Sequence, residues 1–554
     1  MKAELTGGPA PVDPLGDRLT RLVWFGRPTD SLAERARRRI TVRLMPVLFV
    51  LYILAYLDRA NVSVAELKMK LPPDQGGLGL STEMIGFGGG LFFLGYWILE
   101  IPTALSVRRY GARWLFCRIL VLWGLCATLI GFVGLPIAER AFGLLPEALY
   151  GQTLATSPEH QFYFFRFMLG FFEGGFFPCV IVYLTYWFRA EDRAKAVATF
   201  TAASPLSMAL GLPLSRLLLP LNWFDLPGWR WVFILEGLLP VLAGVAVLWL
   251  LPDRPETVAW LPDDEREWLT GALEREHQHK HAAGADHHWR HLGMVGLLTC
   301  VYFCLNVGVY GLVLFMPGII KSQLASTWSD EAVTMLASLP YFLAIGGMAF
   351  NGWHSDRTRE RVWHTAIPLM TVSAGIFLTA MFDGVPIVPV VIMILVVGPA
   401  MFGHMPTFWP IPTMVLGATA AAASIGLINM LGNLGGFVGP YLLGVKAKDS
   451  PPAATAALDP GAKGVADLSG QASATEPAAS ADKDAGAHSK PEPQGVNFRE
   501  SLLWLAPWPL GAAVLILIIG YCIVPQARDP ARAGPRHGER VEAIATSPDP
   551  QGGI

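Results

Sequence analysis

The sequence predicts an all-α membrane protein of about twelve transmembrane helices, arranged in two halves of six. The 554 residues are 53% hydrophobic and only 16% charged, whereas an average soluble domain carries roughly 25% charged residues. Long apolar stretches also recur along the chain, and a polar interval separates the first six from the last six. The formal net charge of -2 gives no basic excess, so we expect no nucleic-acid partner.

Each apolar stretch is long enough to cross a bilayer core about 30 Å thick, which takes roughly 20 residues of helix. The predicted spans lie at about 42–65, 83–106, 113–133, 161–188, 194–220, 229–251, 292–318, 331–353, 362–382, 386–409, 417–446 and 502–525. They divide the chain into an N-terminal segment 1–41, a first half 42–251, a linker 252–291, a second half 292–526 and a tail 527–554.

The orientation in the bilayer follows from the basic residues of the short loops. The loops near 107–113, 189–195 and 354–361 each contain three arginine or lysine residues and fall on the side of the basic N-terminal segment. Translocation disfavours positive charge in short loops. We therefore expect this side, the linker and both termini to be cytoplasmic.

Two polar segments, the linker and an insert at 447–497, lie outside the predicted spans. The linker contains a histidine cluster between His277 and His291, but a metal site also needs a fixed ligand geometry, so we favour a solvated linker with no metal and no cofactor. The insert 447–497 is rich in Ala, Pro, Ser and Gly and has too little apolar surface to fold alone. We predict a disordered extracytoplasmic segment there.

One loop pattern occurs in both halves. Residues 352–361 read GWHSDRTRER and residues 104–113 read ALSVRRYGAR, and both align partly with G-x-x-x-D-R-x-G-x-R. A simple positive-inside loop is the alternative interpretation of either copy alone. Two copies at matching places resemble the cytoplasmic signature of the major facilitator superfamily, although Ala104 and Arg108 depart from it. The resemblance implies a cytoplasmic gate formed by Arg109, Gly111, Arg113, Asp356, Arg357 and Arg361.

Four further motifs narrow the resemblance. LDRANVSVA at 57–65, RFMLGFFEGGFFP at 166–178, YLTYWF at 183–188 and LPDRP at 251–255 look like the anion:cation symporter branch of that superfamily. The run 166–269 most resembles bacterial tartrate and hydroxyphenylacetate permeases. The resemblance implies a monomeric carrier of the bacterial inner membrane whose partners are a small carboxylate, such as tartrate, a sugar acid or an aromatic acid, and protons.

Charged side chains inside the predicted spans are functional candidates because they cost several kcal/mol unless they are paired or hydrated. At 1.5 Å per residue, Asp58 lies ~22 Å from Arg43, and Glu173 lies ~24 Å from Arg189. Both distances are counted from the expected cytoplasmic side. The two carboxylates are therefore predicted to lie at similar depth.

The residue types suggest roles for the deep charges. Arg59 and Arg166 are predicted to bind the substrate, because a guanidinium group holds a carboxylate through two parallel hydrogen bonds. Asp58 and Glu173 are predicted to couple protons, because a carboxylate at low dielectric can exchange a proton when access alternates. The resemblance links the same positions to anion binding and proton coupling. A purely structural ion-pair network of these four residues is the alternative.

Other polar residues of the spans carry weaker predictions. Tyr96 and Asn433 are candidate substrate contacts, although each is equally explained by helix packing. Glu100 and Glu236 are expected to lie against the cytoplasmic loops.

The predicted function is proton-coupled symport of a small organic anion into the cell. An anion exporter or exchanger and a transporter-like sensor are the alternatives. We expect no enzyme, because the sequence contains no H-E-x-x-H, G-x-S-x-G or Walker-type pattern.

Overall fold

The computed structural model describes residues 31–144, 151–282, 292–324, 328–385, 387–416, 418–449 and 496–528. The helices of the first half are α1 (Leu32–Met69), α2 (Thr82–Tyr110), α3 (Ala112–Ile130), α4 (Pro136–Gly143), α5 (Gly151–Thr156), α6 (Pro158–Glu173), α7 (Phe176–Trp187), α8 (Ala190–Thr201), α9 (Ala203–Leu218) and α10 (Gly228–Leu250), and α11 (Asp263–Ala282) lies in the linker.

The second half continues this helical architecture. Its helices are α12 (Leu292–Gln323), α13 (Asp330–Thr358), α14 (Val362–Met381), α15 (Val388–Ile392), a π-helical turn (Met393–Val397), α16 (Gly398–Met401), α17 (Met405–Phe408), α18 (Pro410–Leu416), α19 (Ala418–Gly432), α20 (Gly435–Lys446), α21 (Arg499–Leu505) and α22 (Pro507–Arg528). Two short antiparallel strands, β1 (Lys448–Asp449) and β2 (Val496–Asn497), join the ends of the insert.

Eleven helical stretches of the described residues are long and apolar enough to cross a membrane. The remaining predicted span, 417–446, consists of α19 and α20, which are interrupted at Asn433 and Leu434. Each part alone is shorter than the roughly 20 residues that a crossing needs. The predicted all-α membrane fold is therefore confirmed.

The first helix begins earlier than predicted. It starts at Leu32 rather than near residue 42, and the Ser31 side chain accepts a hydrogen bond from the Glu34 amide, as an N-cap does. The added turns are held by the linker helix α11, because Arg39 forms an ion pair with Glu265 at 3.0 Å. Part of the linker is thus an ordered helix against α1.

The bundle has two ends, which we name by what they carry. The linker face carries α11 and the first turns of α1, and the insert face carries β1 and β2. Of the insert 447–497, residues 450–495 lie outside the described residues, as do 283–291 of the linker, most of the N-terminal segment and the tail from 529 onwards.

The two halves meet at the insert face through charged groups. Lys68 of α1 forms an ion pair with Asp330 of α13, with 2.9 Å between Nζ and Oδ2. The buried Glu66 carboxylate faces Gly318 of α12 so closely that a Cβ on this glycine would lie 2.3 Å from Oε1. The halves are therefore in contact at this end.

Candidate functional site

A cavity lies between the two halves. Ten of its sixteen lining residues are aromatic, and five of these ten are tyrosines, so the wall combines ring faces with hydroxyl groups. The first half contributes Tyr52, Tyr56, Arg59, Phe92, Phe93, Tyr96, Glu173, Phe176, Phe177 and Thr201, and the second half contributes Tyr302, Tyr310, Met405, Trp409, Asn429 and Asn433. Arg59 and Glu173 are the charged residues among them.

These two charged side chains form an ion pair. Nη2 of Arg59 donates to Oε1 of Glu173 at 2.7 Å, and Nη1 donates to the Tyr310 hydroxyl of the opposite half at 3.5 Å. The guanidinium group also lies over the rings of Tyr56 and Phe92, at 4.5 and 5.2 Å from their centroids. Aromatic faces stabilise a cation in a site with little water, so Arg59 is held at the cavity wall from several sides.

A break between α6 and α7 places Glu173 in the wall. Gly175 has φ 93°, in the left-handed region that favours glycine, and Glu173 is the last residue of α6. Just before the break, a Cβ on Gly170 would lie 1.8 Å from the carbonyl oxygen of Phe92, so α2 and α6 approach each other closely there. A carboxylate at the negative end of a helix dipole is unfavourable by itself, and Arg59 compensates for it.

Asp58 and Arg166 are buried and are not among the cavity-lining residues. Trp123 Nε1 donates to Oδ2 of Asp58, and Asn61 Nδ2 donates to Oδ1 at 3.2 Å. The Arg166 guanidinium lies over the Phe92 ring at 5.3 Å, and Nη2 donates to the Gly89 carbonyl oxygen at 3.4 Å.

The four predicted charges therefore belong to one cluster in the first half. Asp58, Arg166 and Glu173 lie close enough for their charges to act on one another, and Arg59 pairs directly with Glu173. Two positive and two negative groups balance when all are ionised. Only Arg59 and Glu173 of the four line the cavity.

Tyr96 and Asn433 both line the cavity. Asn433 lies at the interruption between α19 and α20, and Asn306 Nδ2 donates to its Oδ1 at 3.4 Å. Non-helical backbone at membrane depth is tolerated where it borders a cavity. Their positions fit a contact with substrate, which stays a prediction.

The expectations for Glu100 and Glu236 are wrong. Glu100 is buried and accepts a hydrogen bond of 2.5 Å from Asn429 of the opposite half, and Glu236 is buried against Ser215. Counting residues from a loop gives the depth of a side chain but not the direction in which its helix points it. The Asn429 amide, which both lines the cavity and binds Glu100, was missed by sequence reasoning; the nearby Asn433 in the same amide- and glycine-rich stretch was its only signal.

The predicted gate residues lie at two separate helix junctions, α2–α3 and α13–α14, at the linker face. The Arg113 amide donates to Oδ1 of Asp253 at 2.9 Å, and Gly111, with φ 80°, lies beside the same carboxylate. In the second copy Arg361 pairs with Asp356 at 2.5 Å. The LPDRP motif thus supplies an acid to the first loop, whose own aspartate position is Arg108.

The remaining gate arginines lie over neighbouring aromatic rings. Arg109 lies over Tyr110 and Arg357 over Trp353, at 5.4 and 5.9 Å from the ring centroids. Glu360 lies just before the start of α14. Burial acts to raise the pKa of its carboxyl group, but hydrogen bonds from the Trp363 amide and from His364 outweigh the effect of burial and lower that pKa. The ionised Glu360 caps the start of α14.

Within the described residues, no group of three or more His, Cys, Asp or Glu side chains is arranged to hold a metal ion. Of the histidine cluster, positions 283–291 lie outside the described residues.

Comparison with known proteins places this geometry in context. The chain matches the family model of the Major Facilitator Superfamily over residues 48–440. A putative tartrate transporter of Agrobacterium vitis is 37% identical over 424 residues, which cover 75% of this chain and 86% of the relative. A quinolone resistance transporter of Acinetobacter baumannii is 32% identical over 412 residues, which cover 74% of this chain and 87% of the relative.

A solved structure shares the fold at low sequence identity. A D-xylose-proton symporter superposes with a TM-score of 0.58 at 15% identity, covering 86% of this chain and 97% of the other.

Proposed function

The chain belongs to the Major Facilitator Superfamily, and on that premise we propose that this multi-pass membrane transporter imports a small organic anion together with protons. The observation that carries the proposal is the Arg59–Glu173 ion pair at the cavity wall, 2.7 Å long. It brings a cation suited to a carboxylate and an acid able to take a proton into direct contact.

The ion pair suggests how proton and anion binding depend on each other. While Glu173 is ionised, its carboxylate occupies Nη2 of Arg59. A proton on Glu173 removes the negative charge and leaves the guanidinium group available for the carboxylate of a substrate. In a site of low dielectric an unpaired buried charge costs several kcal/mol, so the substrate anion and the proton stabilise each other's binding.

Asp58 extends this coupling behind the wall. Its two oxygens are held by Trp123 and Asn61, and its charge acts on both Glu173 and Arg166. Protonation of either acid changes the balance of two positive and two negative groups. We propose that Asp58 and Glu173 carry the coupled protons and that Arg59 and Arg166 hold the anion charge.

The names of the relatives support a carboxylate substrate. Two relatives, 37% and 36% identical to this chain, are both named putative tartrate transporters. Tartrate, a sugar acid or an aromatic acid would each present a carboxylate to Arg59, and the cavity also provides ring faces and the amides of Asn429 and Asn433. We propose a bacterial inner-membrane location with both termini cytoplasmic, because the basic loops all lie at the linker face.

Export is the second candidate, because one relative at 32% identity is named a quinolone resistance transporter. The direction of transport depends on the imposed gradients as well as on the protein. The proteoliposome assay described next therefore addresses both import and export.

Uptake into proteoliposomes tests the proposal. Purified protein is reconstituted, and a panel of labelled carboxylates, including tartrate, a sugar acid and an aromatic acid, is offered with and without an imposed proton gradient. We expect at least one acid to accumulate above its external concentration only when the outside is more acidic. Equal uptake with and without the gradient for every acid transported would refute proton coupling.

A further inference from the structure

Glu236 is a buried carboxyl group that the proposed coupling pair does not include. It lies in the interior of α10 and is 2% exposed. Oε1 lies 2.6 Å from the Ser215 hydroxyl of α9, and Oε2 has no hydrogen-bond partner among the described residues. A carboxylate in this position has no cation to balance it within the described part of the chain.

The Ser215 hydroxyl group has two oxygen neighbours but only one hydrogen to donate. Its hydroxyl oxygen lies 2.6 Å from Glu236 Oε1 and 2.9 Å from the Gly211 carbonyl oxygen, yet a hydroxyl group has one hydrogen to donate. A carbonyl oxygen only accepts. If Ser215 donates to Gly211, the short contact with Glu236 is a hydrogen bond only when Glu236 is the donor, which requires a protonated carboxyl group.

The polar groups described around Glu236 include no cation paired with it. From α1, the charge of Asp58 acts on Glu236; from α3, Cys126 lies in the same region and its thiol interacts with Asp58. From α9 the facing polar group is Ser215. On α10 itself, Arg230 is occupied by the carbonyl oxygens of Gly131 and Val133.

We propose that Glu236 is a further proton-binding residue of the transport cycle, an inference that rests on the proposed proton coupling. Proton binding forms an O–H bond on Glu236, which donates to Ser215, and the Ser215 hydrogen turns to the Gly211 carbonyl. Proton release reverses both changes. Two buried carboxylates whose charges act on each other are not both ionised at little cost, so ionisation of Asp58 favours a proton on Glu236.

Gly211, an acceptor for the Ser215 hydroxyl group, also packs close to the charged cluster that contains Asp58. A Cβ on Gly211 would lie 2.8 Å from a methyl carbon of Leu57, the residue that precedes Asp58. Gly211, whose carbonyl oxygen accepts from Ser215, therefore packs against the residue next to the proposed coupling acid.

Infrared spectroscopy of the full-length protein in lipid tests the inference without a substrate, with the proton as the probe. Spectra are recorded through a pH titration for the wild type, for Glu236→Gln, which keeps the side-chain volume but cannot release a proton, and for Glu139→Gln on the exposed surface as a control. We expect one component band of the protonated-carboxyl absorption to disappear on raising the pH, and this band should be absent from Glu236→Gln and present in Glu139→Gln. Ser215→Ala keeps the carboxyl group and should shift the band.

Two results overturn the inference. If the wild type and Glu236→Gln give the same carboxyl spectra, Glu236 is ionised; if the band is present but unchanged across the titration, it is a fixed structural proton. Failure of the proposed function has a different signature, because a wild type that accumulates no acid in response to a proton gradient refutes coupling whatever the spectra show.

Discussion

At the residue scale, Phe92 packs against both arginines of the cluster, and the two arginines differ in whether they line the cavity. Both guanidinium groups lie over its ring, at 5.2 Å for Arg59 and 5.3 Å for Arg166, but only Arg59 lines the cavity. We therefore propose Arg59 as the first anion contact, with Arg166 acting on the same site through the charges of Asp58 and Glu173.

Replacement of each arginine by lysine tests the need for a planar cation. Lysine keeps the charge but loses the forked hydrogen bonds and the ring stacking, and loss of a hydrogen bond to a charged group costs about 1.5–3 kcal/mol. We expect Arg59→Lys and Arg166→Lys each to lower initial uptake by about tenfold or more. Normal uptake by correctly inserted Arg166→Lys would show that its guanidinium group is not needed, and Arg140→Lys on the exposed surface is the matched control.

The deep charges could be predicted from sequence, because a charged side chain in an apolar stretch is costly wherever it points. Asp58, Arg59, Arg166 and Glu173 were identified on that ground. The ring of Phe92 between Arg166 and the cavity could not be predicted, since it depends on how α2 packs against α6.

At the element scale, two interrupted spans supply the cavity with polar groups. The α6–α7 break presents Glu173, and the α19–α20 break presents Asn433. Glycines around both breaks were visible in the sequence. That the two breaks face one cavity could not be predicted, because each stretch is as apolar as an uninterrupted transmembrane helix.

Contacts between α1 and α13 suggest that the insert face opens only when an ion pair separates. Asp330 binds Lys68 of the opposite half at 2.9 Å and Lys321 of its own half at 3.4 Å. We predict that Lys68→Met and Asp330→Asn each favour the state open at this face, by up to about fivefold for an interaction of about 1 kcal/mol.

Labelling of a cysteine placed at the cavity position Thr201, in a background without the native cysteines, measures this opening. A membrane-impermeant maleimide is added at the insert face, and Asp74→Asn, an exposed acid at the same end, is the control. The double variant should label no faster than the faster single variant, because both changes break one interaction. Unchanged labelling in both single variants would contradict the proposed role of the ion pair.

The insert itself is predicted to be dispensable. Its ends are already held together by β1 and β2, where Lys448 pairs with Asn497, and the entropy of closing a loop changes slowly with its length. Deletion of about 460–490 should leave the uptake rate within about twofold. Loss of uptake at normal membrane abundance, with a Gly/Ser replacement of equal length also inactive, would assign this segment a role in transport.

At the scale of the whole molecule, the cavity lies between two halves that also touch at the insert face. Binding that occurs in only one arrangement of the halves couples substrate movement to their separation. The number of spans and their division into halves were predictable from hydrophobicity and loop charge. The cross-half bonds, such as Asn429 to Glu100 at 2.5 Å, arise from packing and were not predictable.

Protons are proposed to move with the substrate through Asp58 and Glu173. Asn and Gln keep the size and most hydrogen bonds of these acids but cannot alternate between charged and neutral forms. Asp58→Asn and Glu173→Gln are therefore expected to lose accumulation driven by a proton gradient, whereas exchange of substrate across the membrane needs no net proton movement and should persist in at least one of them.

The most direct test measures gradient-driven accumulation and substrate counterflow side by side in vesicles containing the wild type, Asp58→Asn or Glu173→Gln, with a carboxylate that the wild type transports. We expect accumulation by the wild type alone and counterflow by the wild type and at least one variant. Accumulation by both variants in response to an imposed pH difference would contradict this expectation, because the protons would then move by another route.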